Sequence, residues 1–145
     1  NTNNFGAIIR SAAFFGIQNI IIPESNSQAT VSTSTYRIAK GGMEYVNLYS
    51  VKNPEFFFND IDKRIIKIGT DVNGNLPISK LHELSEKHPK NPLMIILGNE
   101  ETGISDFVKQ KCDYLVTIPT PQKNLDSLNV AQACSIICYE LSKNF

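Results

Sequence analysis

The sequence predicts an α/β domain: a mostly parallel sheet with helices on both faces. Three observations carry the prediction. Short β-rich apolar runs alternate along the chain with stretches of helical character, the rhythm of βα units. Several of these runs are apolar at nearly every position, as strands are when both faces of their sheet are covered. The chain has 145 residues, 41% of them hydrophobic and 19% charged, the size and composition of one globular domain. No internal repeat, low-complexity tract or long linker divides residues 1–145, so they read as a single domain.

The elements follow in order. Helix is predicted from Phe5 to Phe15, with Asn4 placed to cap it and Phe5, Ile8, Ile9, Ala12 and Phe15 forming its apolar stripe. A strand over Asn19–Ile22 comes next, then a polar loop over Glu24–Thr35 that leads into a helix at about Ser32–Lys40. Val46–Ser50 is a second strand. Asn53-Pro54-Glu55 is a cap with proline at the first helical position, opening a helix over Pro54–Lys63. A strand over Ile65–Thr70, a short helix near Ser79–Glu86 and a turn over Glu86–Pro92 precede the apolar strand Leu93–Leu97. Helix Ser105–Lys111, strand Tyr114–Ile118 and a long helix Asn129–Lys143, capped by Ser127 or Asn129, complete the series.

Fourteen Lys and Arg balance fourteen Asp and Glu, for a net charge of +0. A nucleic-acid partner would therefore have to meet a local basic patch rather than a global field. No apolar run approaches the roughly 18 residues of a membrane span, and Asn1-Thr2-Asn3-Asn4 is unlike the head of a secretory signal. The chain reads as cytoplasmic with no membrane partner, and a segment is expected upstream of Asn1. Three cysteines argue against a disulfide framework. Cys134 and Cys138, spaced i, i+4, could present two sulfurs, but neither His82 nor His88 is close in sequence, and no metal site is expected.

Three segments stand out. In Asn4-Phe5-Gly6-Ala7-Ile8-Ile9-Arg10-Ser11-Ala12, Arg10 projects away from the apolar stripe; taken alone, the segment is also satisfied by a capped helix with a solvated arginine. Leu93-Met94-Ile95-Ile96-Leu97-Gly98-Asn99-Glu100-Glu101-Thr102-Gly103-Ile104-Ser105 runs a buried strand into a loop bounded by Gly98 and Gly103. Loops beyond the carboxyl ends of parallel strands are where such sheets place ligands, and this one delivers two adjacent carboxylates. The third segment takes a strand ending at Ile118-Pro119 through a polar loop to Ser127-Leu128-Asn129, whose helix-start N–H groups suit an anion. Ser127 or Asn129, taken singly, is equally well read as a cap.

Together, Asn-x-Gly-Ala-Ile-x-Arg-x-Ala, Leu-Gly-Asn-Glu-x-x-Gly-Ile-Ser and Ile-Pro followed by Ser-Leu-Asn-Val resemble the three signature motifs of the SpoU (TrmH-type) RNA ribose 2′-O-methyltransferases, of the SPOUT class. The resemblance runs from Asn4 to about Leu141. It implies a C-terminal deep trefoil knot that holds S-adenosylmethionine in a bent shape, and a homodimer with the active site near the interface. It also implies a cofactor pocket lined by Leu97, Gly98, Asn99, Glu100 and Gly103, by Ile118 and Pro119, and by Ser127, Leu128 and Asn129.

The resemblance makes Arg10, Asn4, Glu100, Ser127 and Asn129 the catalytic set for methyl transfer to a ribose 2′-hydroxyl of structured RNA, ribosomal in the first instance and transfer RNA in the second. A guanidinium is very hard to deprotonate, so Arg10 is expected to grip a phosphate and polarise the 2′-oxygen rather than act as base. RNA contacts are expected from Arg37, Lys40, Lys63, Arg64 and Lys123, or from an appended domain outside this chain, which the resemblance implies at the N-terminus in many members. The sequence departs from the family in having Asn1-Thr2 ahead of the first motif, in lacking the strand before it, and in having no glycine over Thr120–Asn124. A non-catalytic knotted module for RNA binding or dimerisation is the alternative, and methylation of a base rather than a ribose is a third reading.

Overall fold

A computed structural model describes residues 2–24, 37–125 and 127–143. The elements are α1 (Thr2–Phe14), β1 (Asn19–Pro23), β2 (Asn47–Val51), α2 (Pro54–Asp60), β3 (Ile66–Thr70), β4 (Leu76–Pro77), α3 (Leu81–Lys87), β5 (Leu93–Ile96), α4 (Asp106–Lys111), β6 (Tyr114–Thr117) and α5 (Val130–Ser142). Single 3-10 turns at Gly42–Tyr45 and Ile78–Lys80 precede β2 and α3. Most of the predicted loop Glu24–Thr35 and the first part of the predicted helix Ser32–Lys40 lie outside the described residues; Arg37, Ile38 and Ala39 are helical.

Every strand pairing is parallel, but the paired strands form two sheets rather than one. β1 pairs with β2 from Asn19↔Asn47 to Pro23↔Val51. The second sheet has the order β4-β6-β3-β5, with Ile68 of β3 level with Ile95 of β5 on one side and Tyr114 of β6 on the other. β6, late in the chain, lies between β3 and β4.

Alternate residues of β3 face opposite sides of the sheet. Ile68 is fully buried with Ile78, Leu81, Leu84, Val116 and Ile137, so α3 and α5 cover that face. Gly69 faces the other way, where an added Cβ would come within 2.8 Å of Cys112 Sγ and 2.9 Å of Leu115 Cδ2; a bare backbone is what lets the α4 side approach. Helices thus stand on both faces. Against the smaller sheet, Phe5 and Ile9 of α1 pack with Ala39, Ile20, Ile22, Val46 and Leu48.

Several boundaries move. The first helix starts at Thr2, so Asn4 is inside its first turn rather than its cap. Its end is fixed by Gly16 at φ 76, with Ile17 N donating to Ala12 O at 2.8 Å, a glycine-closed C-terminus. The predicted helix Pro54–Lys63 stops at Asp60, because Ile61 turns extended while Asp62 and Arg64 form their own turn. Asn53 caps α2 as expected, accepting from Glu55 N and Phe56 N. The predicted helix near Ser79–Glu86 divides into a 3-10 turn and α3. Two-residue β4 is too short to leave a periodic signal.

Candidate active site

The three motif segments meet. Asn4, from the first turn of α1, donates through Nδ2 to Glu100 Oε1. Asn129 donates through Nδ2 to Asn4 Oδ1 at 3.0 Å and to Glu100 Oε1 at 3.3 Å. The same Asn129 is the N-cap of α5, its Oδ1 accepting from Ala131 N at 2.9 Å and Gln132 N at 3.4 Å. Of the two caps open from sequence, Asn129 is the one used. The Glu100 carboxylate therefore sits between the N-terminal ends of two helices, where their dipoles favour negative charge, and collects two carboxamide N–H donors.

The loop carrying Glu100 is shaped by its glycines. Asn99 and Gly103 exchange backbone hydrogen bonds at 3.1 and 2.9 Å, and Gly103 takes the left-handed φ of 69 that glycine adopts without penalty. A Cβ on Gly98 would meet Gly103 C at 2.7 Å and Ile104 N at 2.8 Å. Asn99 Oδ1 accepts from Glu101 N at 2.8 Å. Both adjacent acids are exposed, and only Glu100 enters the cluster. Deeper between α1 and α5, Ser11 Oγ and Ser135 Oγ share a hydrogen bond of 2.8 Å.

Leu97 and Ile118 leave the carboxyl ends of β5 and β6 with side chains packed on the core, so their main-chain groups are what they offer a ligand. Pro119, Ser127 and Leu128 are exposed. Arg10 is also exposed, and among the described residues it has no hydrogen bond or ion pair; the structure does not bring it into the Asn4–Glu100–Asn129 cluster. Arg37, Lys40, Lys63, Arg64 and Lys123 are all exposed, but Arg64 is held by Asp62 at 2.6 Å. That contact keeps the Asp62 carboxyl down at about 2 and raises the Arg64 guanidinium.

Sequence reasoning missed the segment after β3. Because β3 lies between β5 and β6, its outgoing loop emerges between the two motif loops. Thr70 Oγ1 donates to Ile96 O at 3.2 Å, and Asp71 N donates to Val116 O at 2.9 Å. Asp71 is held by Lys109 at 2.7 Å; this ammonium, and after it the N–H of Asn73, keep the Asp71 carboxyl below its ordinary range. The turn residues Asp71-Val72-Asn73-Gly74-Asn75 were the available signal. Two open clefts, of about 440 and 620 Å³, adjoin these loops: one between α2 and α4 with Ser105 in its wall, the other beside Asn73, Lys109 and Tyr114.

Burial pushes the Cys112 thiol up. Cys134 and Cys138 sit 3.8 Å apart inside the fold, and their hydrogen bond lowers Cys134 and raises Cys138. Among the described residues, no group of three or more His, Cys, Asp or Glu is placed to hold a metal ion, and no helix is long and apolar enough to cross a membrane.

Residues 1–139 match the SpoU rRNA methylase family. The chain belongs to the SpoU rRNA methylase family. Within it, the chain is 32% identical over 144 residues to the mitochondrial rRNA methyltransferase 1 of Schizosaccharomyces pombe, covering 95% of this chain and 46% of that protein. It is 33% identical over 141 residues to an uncharacterized tRNA/rRNA methyltransferase of Borreliella burgdorferi, covering 97% and 58%. The SpoU methyltransferase AviRb of Streptomyces viridochromogenes, solved in complex with AdoMet, superimposes with a TM-score of 0.82 at 25% identity over 99% of this chain and 56% of that one. An rRNA methyltransferase from Sinorhizobium meliloti shares the fold with a TM-score of 0.79 at 22% identity, over 99% and 52%. The chain spans about half the length of the curated SpoU relatives it matches.

Proposed function

We propose that this chain is the catalytic domain of an S-adenosylmethionine-dependent RNA methyltransferase that acts on a ribose 2′-hydroxyl of ribosomal RNA, with transfer RNA as the second target. The observation that carries the reading is the Asn4–Glu100–Asn129 cluster, which joins one residue from each of the three motifs of a methylase family.

The residues present fit the cofactor. Beyond the carboxyl ends of β5 and β6, which flank β3, Leu97, Gly98, Ile118 and Pro119 offer main-chain groups in the crevice where parallel sheets bind ligands. The missing Cβ at Gly98 keeps the Glu100 loop closed against Gly103. When bound, the cofactor supplies an electrophilic methyl on a sulfonium. Asn4 and Asn129 fix Glu100, and with it the loop, so that the approach of the ribose is set before reaction. Arg10, a permanent cation projecting from α1 and uncommitted among the described residues, grips the neighbouring phosphate and polarises the 2′-oxygen. Ser127 and Asn129 belong to the catalytic loop, and Leu128 lines the cofactor pocket.

The trefoil knot and the homodimer belong to the same proposal. The insertion of β6 between β3 and β4 supports the first. An aromatic patch supports the second: Phe14 is 81% and Tyr139 57% exposed, with Phe15 in edge contact with both. The glycine-free segment Thr120–Asn124 favours a second reading, a non-catalytic module with the same fold.

Calorimetric titration with S-adenosylmethionine and its demethylated product separates the two, with Arg10→Ala as a control that keeps binding. Saturation at one site per chain, followed by a 2′-O-methyl nucleoside in digests of treated RNA, is the expected result. A methylated base would move the reaction off the ribose, and a folded dimer that binds neither compound would leave the non-catalytic module.

A further inference from the structure

The geometry points to the cleft between α2 and α4 as the seat of an unpaired RNA base next to the methylated nucleotide. This inference rests on the RNA-methyltransferase reading above. The cleft measures about 440 Å³ and is lined by Lys52, Asn53, Glu55, Ser105 and Phe107, among others, a size within the usual range of ligand sites.

Its position ties it to the candidate active site. Ser105 ends the loop that carries Glu100, and that loop is folded back by the Asn99–Gly103 pairing. Two residues of chain reach about 7 Å and paired backbones stand about 5.5 Å apart. The Ser105 wall of the cleft is therefore within roughly 12 Å of Asn99.

The chemistry of the lining selects a base. Phe107 supplies a ring, and Lys111, which is not itself part of the lining, holds its Nζ over that ring at 5.5 Å from the centroid. Unstacked bases are held in this way, on aromatic side chains with cations near. Asn53 spends its Oδ1 on capping α2, so its Nδ2 is left as the donor. Among the described residues neither Lys52 nor Glu55 has an ion-pair partner, and both are exposed. The cleft therefore shows donors from Lys52 and Asn53 and an acceptor from Glu55 around one aromatic wall. The edge of a nucleobase carries both kinds of group. A bare anion would be repelled by Glu55, and an apolar peptide would strip water from Lys52 and Glu55 without replacing it.

The test uses the complete chain and a short fluorescein-labelled single-stranded RNA of mixed sequence, read by anisotropy, with S-adenosylhomocysteine binding measured on the same preparations. Lys52→Ala and Phe107→Ala are each expected to raise the RNA Kd by roughly five- to tenfold, with Phe107→Tyr restoring it and S-adenosylhomocysteine affinity unchanged throughout. Lys52 is exposed, so Lys52→Ala gives an answer even if Phe107→Ala fails to fold. Wild-type RNA affinity in Lys52→Ala, or in a Phe107→Ala protein that still binds S-adenosylhomocysteine, overturns the cleft assignment alone. A wild-type chain that binds S-adenosylhomocysteine but no RNA overturns it as well. A wild-type chain that binds no S-adenosylhomocysteine overturns the catalytic reading on which it rests.

Discussion

Asn129 reaches across 125 positions of sequence to donate to Asn4 Oδ1 at 3.0 Å, and its other carboxamide atom caps α5. One side chain thus starts a helix and closes the cluster that ties α1 to the Glu100 loop. The two roles can be separated by substitution.

Asn129→Ala removes both, and is expected to cost about 1 kcal/mol of stability from the lost cap together with methyl transfer. Asn129→Asp keeps an acceptor for Ala131 N but replaces the donor to Asn4 and Glu100 with a second carboxylate. Thermal unfolding should place Asn129→Asp above Asn129→Ala, while radiolabelled methyl transfer fails in both. Full activity in Asn129→Asp would remove the cluster from the mechanism.

Gly98→Ala forces a Cβ to within 2.7 Å of Gly103 C and 2.8 Å of Gly103 Cα. Because the opposing atoms are backbone, no rotamer relieves the clash, and overpacking of this kind costs about 1–3 kcal/mol. Denaturant unfolding measures the loss. The Glu100 loop must shift with it, so cofactor affinity should fall further than stability alone requires.

Arg10→Ala is expected to leave stability within about 0.5 kcal/mol, as for an exposed residue, and to leave cofactor binding intact while abolishing methyl transfer. Arg10→Lys keeps the charge but loses the planar fork, and should recover only a small part of the rate. Undiminished transfer by Arg10→Lys would exclude the phosphate-gripping role.

Asp71 is protonated less readily in the folded chain than its ordinary 3.8, chiefly through the Lys109 hydrogen bond. A lowered folded value means that its stabilising contribution is complete above the unfolded value and is lost as pH falls through the folded one. Lys109→Met raises the folded value toward the ordinary one. Acid unfolding followed by circular dichroism should begin at a higher pH in Lys109→Met than in wild type.

Much of this architecture was legible in the chain. Runs such as Leu93–Leu97 are apolar on both sides because α3, α5 and α4 cover both faces of their sheet, and that doubled burial is written directly into composition. Asn53 was readable as a cap because capping is local. Asn4 was misread as a cap for the complementary reason: its partners, Glu100 and Asn129, are 96 and 125 residues away, and no local pattern records them. The division of the strands into two sheets and the pairing of β4 with β6 are likewise long-range, and Leu76-Pro77 is too short to announce itself. The cleft at Lys52 and Phe107 was invisible because it is made by two short helices that no motif links.

The place of β6 has a consequence for synthesis. As the chain leaves the ribosome, β3, β4 and β5 emerge while the slot between β3 and β4 is still vacant, and about 40 residues separate Pro77 from the end of β6. At translation speeds of about 5–20 residues per second, the slot stays open for roughly 2–8 s. During that interval β3 shows an unpaired edge to any other extended chain. The opposite bank is only two residues long, and Pro77 has no N–H to give. A stray strand therefore finds one side of the slot to hold rather than two, and the nascent protein waits for its own late strand with little to tempt another.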